Sequence, residues 1–295
     1  MAKKRSTKSK SKAKAADPER RRRIMLVSVT VLGGLALTAG GWVGLDRLDA
    51  HAAELATFPS VEVTFAWPAI DGAAAGDEST WMPNSERERL TRIALDAARG
   101  GSGLDHHALR EVSRALHATG WYAELPVVRR QGDGNLRVTG TWRLPAAVVR
   151  TGSLERLVSW EGVALPLEYG AGKSGVHYLA FASTPPPAVS GVAWEGEDVR
   201  AGLALLDLLD DHADLIPQIV GIDLDHGGPL TIITDEGGKI IWGTAPGVFR
   251  PGEQSSEIKI SRIGGMLDKT GRIDGGLAAM DIRGSYVLTQ KRSEP

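Results

Sequence analysis

Gly172-Lys173-Ser174 carries the residue types of a phosphate-binding loop, in which backbone N–H groups cradle an anion and a lysine meets its charge. Such a loop needs a glycine five residues before Gly172, where Leu167 stands, and a helix after it to point its N-terminus at the phosphate. No helical pattern follows. Asp223, Asp225 and His226 form a second cluster, of types that can ligate metal. On a strand, alternation sends Asp223 and Asp225 to one face while His226 opens the Gly227-Gly228-Pro229 turn, so a solvated strand edge is the simpler account. His106 and His107 are adjacent at a helix start and point about 100° apart, too far to share an ion. A Gly-x-Ser-x-Gly nucleophile motif is absent. The chain has no cysteine, which removes thiolate chemistry, disulfides and cysteine-ligated zinc. Nothing assembles into a catalytic constellation. The expectation is a non-enzymatic binding protein with no cofactor, metal or small-molecule substrate.

The elements that would carry such binding follow from periodicity. Val61, Val63 and Phe65 alternate with Glu62 and Thr64 as in a half-buried strand, and residues 68 to 84 read as a loop. Ser85 with Glu88 three residues on predicts a capping box, ahead of Leu90, Ile93, Leu95 and Ala98 and a stop at Gly100-Gly101. A second helix opens at Asp105, with Leu109, Val112 and Leu116 on one face and Gly120 as its end. Leu125 to Arg130 and Leu136 to Trp142, joined through Gly132-Asp133-Gly134, read as a hairpin. After Arg143 the short runs 147–150, 163–167, 177–181 and 189–194 predict a β-rich region. A helix from Val199 to about Leu215 interrupts it. Strands follow at 219–224, 230–234 and 239–242, then a helix from about Ser256 to Lys269 and a last strand Ala278 to Ile282 that resumes at Tyr286 to Thr289.

The start of the chain has a different character. Residues 1 to 23 hold eleven Lys and Arg against two acids, and the 22 residues from Ile24 to Leu45 hold no ionisable side chain. At about 1.5 Å per residue this run measures about 33 Å, enough to cross a bilayer. A single membrane helix is expected at 24–45, with the basic tail cytoplasmic and the rest exported. Two alternatives stay open. One is a cleaved signal peptide, for which Ala50-His51-Ala52 is a passable site, although its apolar stretch is usually about 7 to 15 residues. The other is a core helix, which would carry a polar stripe, and none is present. Ala36, Gly40 and Gly44 fall on one face where another membrane helix could pack. The net charge is −1, so with +9 in the tail the remainder carries −10, which argues against nucleic acid as a partner. Expected boundaries are a basic disordered tail at 1–23, the span at 24–45, a stalk at 46–57, a strand-helix-helix-strand-strand domain at 58–142, a β domain at 143–290 and a polar tail at 291–295.

That order resembles the FtsQ/DivIB family of bacterial cell-division proteins. Gly120-Trp121-Tyr122 with Leu125-Pro126-Val127-Val128-Arg129-Arg130 and Asn135-Leu136-Arg137-Val138 is similar to the motif W-V-x-x-A-x-V-x-R-x-x-P-x-x-L-x-V. Arg143-Leu144-Pro145-Ala146-Ala147-Val148, with Leu157-Val158 and Glu161-Gly162, resembles E-R-x-P-V-A and L-V-D-x-x-G. Leu267-Asp268-Lys269 and Ala279-Met280-Asp281-Ile282-Arg283 resemble the helix and I-D-L-R strand that close the family's second domain. The chain departs at Trp142, where an acid is usual, at Ser159 or Trp160, where Asp is expected, and at Gly284, where an aromatic is common.

The resemblance implies an α+β protein with an N-terminal transmembrane helix, a POTRA-like β-α-α-β-β module and a β-rich domain with two helices. It implies a bitopic scaffold of the division machinery in the bacterial inner membrane, its C-terminal domains periplasmic and at the division site. Its partners would be FtsB/DivIC-like and FtsL-like coiled-coil proteins. The partner surface is expected at Met280, Asp281, Ile282, Arg283, Gly284 and Tyr286. Met280 and Ile282 would be buried, and Arg283 would point outward beside a free sheet edge, where an added segment can find unpaired backbone groups. The alternative for Arg283 is a surface pair with Asp281. Rival functions are another POTRA-containing envelope or secretion component, and a membrane-anchored enzyme using Asp223, Asp225 and His226.

Overall fold

The computed structural model describes residues 61–69, 80–99, 106–132 and 134–292. The chain divides into Met1–Ser60 and a compact unit from Val61 onward. The sequence-based fold class needs correction. The described residues form an α+β structure with a three-stranded sheet, a nine-stranded mixed sheet and four helices. No helix among them is long and apolar enough to cross a membrane. The expected tail, span and stalk lie outside the described residues.

In the small sheet, β1 (Val63–Phe65) runs parallel to β3 (Leu136–Thr139), which pairs antiparallel with β2 (Val127–Arg130). Val63, Phe65, Leu136 and Val138 turn inward, toward α1 (Asn84–Ala98) and α2 (His106–His117). Leu90 and Ala94 of α1 and Val112 and Leu116 of α2 are buried there, and Leu109 is half-buried. Helix α1 does not begin with the expected capping box. Pro83 flanks it with ψ 145°, no side chain caps it, and Ser85 lies within its first turn. A proline has its φ preset for a helix start and has no N–H to lose, so the chain turns in two residues earlier than the Ser85–Glu88 pattern predicts.

The large sheet has the order β12-β11-β10-β9-β8-β7-β4-β5-β6. At one end β4 (Pro145–Thr151), β5 (Leu154–Ser159) and β6 (Ala164–Gly170) form a meander. Strand β7 (Tyr178–Ala180) lies parallel between β4 and β8 (Ile219–Asp223), and α3 (Glu197–Asp210) connects β7 to β8. Strands β9 (Leu230–Thr234) and β10 (Lys239–Gly243) continue antiparallel. Helix α4 (Ser256–Thr270) then crosses to β11 (Ala279–Asp281), parallel to β10, and β12 (Leu288–Gln290) closes the order. The expected strand at 189–194 is only a bridge between Val163 and Ala193. Helix α3 ends at Asp210, short of Leu215, where Asp210-Asp211-His212 interrupts the apolar period.

Register sorts the two faces. Val149, Leu179, Ile222, Ile232, Ile240 and Met280 lie level on successive strands and are all buried. They join Leu203, Leu206 and Leu209 of α3 and Ile263 of α4 in the main core. On the opposite face, Val148, Leu157 and Leu165 belong to the core of α1 and α2. The two cores are locked where Gly120, at φ +91°, meets Gly191 so closely that a Cβ on Gly120 would stand 2.6 Å from the Gly191 nitrogen. Trp121 Nε1 donates to the buried carboxylate of Glu86 at 2.6 Å. Arg143 donates to the carbonyls of Gly120 (3.1 Å) and Tyr122.

Candidate functional site

The end of the chain is positioned by polar clamps. Met280 and Ile282 are buried, as alternation requires. The outer side of β11 is not free, however: it is paired by β12, which is the terminal strand of the sheet order. The available edge therefore belongs to Leu288–Gln290, whose side chains are all exposed. Leu288 is 68% and Tyr286 85% exposed.

Arg283 takes the alternative role. Its Nε and Nη2 meet Asp281 Oδ1 (3.0 Å) and Oδ2 (2.7 Å) in a two-pronged pair. The Arg283 guanidinium, ahead of the opposing effect of burial, holds the Asp281 carboxyl below the usual carboxylate range. Gly284 contributes its carbonyl to a clamp from α4. Arg262 Nη1 donates to the carbonyls of Ile282 (2.9 Å) and Gly284 (2.6 Å), and Nη2 to that of Ser285 (2.9 Å). A planar guanidinium can fix several carbonyls at once, and here it fixes the turn that sets β12 against β11.

The loop between β10 and α4 is tied to the same region. Gln254 N donates to Arg283 O at 2.7 Å. Glu253 Oε2 accepts from Thr244 N, Thr244 Oγ1 and the buried Lys259 Nζ, each at 3.0 Å. Burial works to raise the Glu253 pKa, but these donors outweigh it and the carboxyl sits below its ordinary value. The ammonium also stands 5.0 Å from the Trp242 ring centroid. At the tip of this loop Phe249 is 86% exposed. The arrangement offers a backbone edge flanked by apolar side chains, which suits an extended polypeptide.

The other flagged residues have separate fates. The loop Gly172-Lys173-Ser174 joins two strands, and Gly172 N donates to Glu155 Oε1 at 2.9 Å. Asp225 does not share a strand face with Asp223: β8 stops at Asp223, Leu224 is buried, and Asp225–Gly227 turn in a 3-10 arrangement. Among the described residues no group of three His, Asp or Glu could hold a metal. His106 and His107 are exposed at the start of α2. Sequence reasoning missed Arg262, for which no local signal exists. It also missed Phe249, whose setting between Pro246-Gly247 and Pro251-Gly252 marks an apolar residue held out on a turn. No family model matches this chain, and comparison with curated proteins finds no match.

Proposed function

We propose that this chain is a non-enzymatic scaffold of the bacterial division machinery, acting at the division site by holding FtsB/DivIC-like and FtsL-like coiled-coil proteins. The observation that carries the reading is the terminal strand β12, which has no described strand on its outer side and is flanked by the exposed side chains of Tyr286 and Leu288. Such an edge can take an added strand, the backbone supplying affinity and flanking side chains the choice of partner. The rigid setting supports it as well: Arg262, Glu253 and Lys259 fix the edge from behind with charge-assisted bonds. The contact surface is thereby moved from Arg283, which is occupied by Asp281, to Tyr286 and residues 288–290.

The test is capture of the coiled-coil proteins by the full chain carrying Tyr286→Ala and Leu288→Glu. Both side chains are exposed, so the melting temperature is expected to stay unchanged while capture is lost. Normal capture by the folded variant overturns the reading.

A further inference from the structure

A second place in the fold combines a cavity, strained backbone and charges of both signs, and the edge strand has no part in it. A cleft of about 520 Å³ is lined by Arg150, Tyr178, Phe181, Asp223, His226 and Lys239, among others. It opens at the carboxyl ends of the parallel strands β4, β7 and β8, where open sheets commonly hold ligands. Phe181, Asp225 and His226 have φ of +62°, +44° and +50°, and among the described residues they are the only non-glycines at positive φ. All three lie in the segments that follow β7 and β8. Left-handed backbone is costly for side-chain-bearing residues and gathers where the chain aims side chains at a ligand. Here His226 N donates to Phe181 O at 3.0 Å, and the His226 ring meets the exposed Phe181 ring edge-on at 6.0 Å.

The floor is preorganised. A Cβ on Gly221 would stand 2.6 Å from the Tyr178 ring, so the ring lies across a gap that only glycine leaves. The Arg150 guanidinium stacks 3.7 Å above that ring and is held by Glu155 Oε1 through Nε (2.9 Å) and Nη2 (2.7 Å). Arg150, Ala180 and Asp223 are level on adjacent strands, and Lys239 projects from the same face two strands beyond β8. Burial raises the Asp223 pKa, with Lys239 and Arg150 opposing it. Cations, one acceptor and an aromatic wall thus share one concave surface.

We propose that this cleft binds the free C-terminal end of a peptide. Its carboxylate meets Lys239 and the fixed Arg150, its backbone N–H donates to Asp223, and its last side chain lies against the exposed Phe181. Charge complementarity selects this occupant. An inorganic anion would leave Asp223 opposed, and an amine would face two cations.

Titrating the full chain with N-acetyl-dialanine, while following the His226 and Phe181 ring resonances, tests the assignment. Saturable shifts are expected. The carboxamide analogue of the same peptide should bind at least about tenfold more weakly, and Lys239→Ala should weaken the acid form by about the same factor. Equal binding of acid and amide, or no saturable shift with the acid, overturns the proposal. The acid–amide comparison uses the unaltered chain, so it decides even if a variant fails to fold.

Discussion

The two ends of the nine-stranded sheet are held by different physics. At the β4–β6 end, side chains from both faces enter cores: Val149, Val158 and Ala164 join the core of α3 and α4, while Val148, Leu157 and Leu165 join that of α1 and α2. At the β10–β12 end only one face is so used. Ile240, Trp242 and Met280 are buried, whereas Ile241, Asp281 and Leu288 on the other face are half-buried or exposed. What packing does not supply there comes from Arg262 on three carbonyls, Lys259 on Glu253, and Arg272 between Asp235 and Asp274. Apolar burial holds one end from both faces without regard to direction. Directional bonds hold the other in place and leave its edge accessible, which a binding strand requires.

The sharpest way to test the packed side is to remove core volume. Leu116→Ala, at a fully buried site, is expected to destabilise the chain by about 2–5 kcal/mol in denaturant unfolding. An unchanged midpoint would show that α2 does not cover the small sheet. Next in size is Gly120→Ala, which combines positive φ with a clash against Gly191. About 1–3 kcal/mol of destabilisation is expected, with the junction of the two cores affected first, read from Trp121 fluorescence. Loss of stability with Trp121 unaltered would place the strain elsewhere.

On the clamped side the effects are local. Arg262→Ala should speed amide exchange at 288–290 by about tenfold while leaving Leu136–Thr139 protected, because the three lost bonds hold only the 282–285 turn. Equal acceleration in both places would mean that the ends are not independent.

Smallest is the acid response. Arg272 lowers the Asp235 pKa, and Arg283 lowers that of Asp281. Asp274 and Glu253 also sit low, despite burial, because charged and hydrogen-bonding donors surround them. A depressed carboxyl binds fewer protons folded than unfolded, so its stabilisation is complete above the ordinary value of 3.8 for Asp or 4.5 for Glu. It is lost as pH falls through the folded value. The β10–β12 end, rich in such groups, is expected to loosen before the small sheet on acidification, as exchange at 279–290 against 136–139 would reveal. Simultaneous loosening would contradict the division.

What was legible in the sequence follows the same division. Alternation at Val63 and Phe65 and the helical spacing of Val112 and Leu116 mark residues that are indeed buried, since burial leaves a periodic trace. Strand β5 left a weaker trace, because Glu155 sits inside it at 1% exposure, its Oε1 bonded by Arg150 and Gly172 across turns no local pattern reveals. The expected edge at β11 failed because the short β12 returns to pair it. A strand over 286–289 was legible, but its return to pair β11 was not, because that is set by the turn Arg262 holds from more than 20 positions away in the chain. Asp281 and Arg283 were legible as neighbours on one face and their pairing as one of two roles for Arg283; the structure shows that pair formed.

The central claim is that the clamped, open edge is where a partner lands. The direct measurement is hydrogen exchange across the full chain with and without a purified FtsB/DivIC-like coiled-coil protein. Slowed exchange at 286–290 and around Phe249, with α1 and α2 unchanged, is the predicted footprint. Binding that protects the face of α1 or α2 and leaves 286–290 exchanging freely would contradict the account.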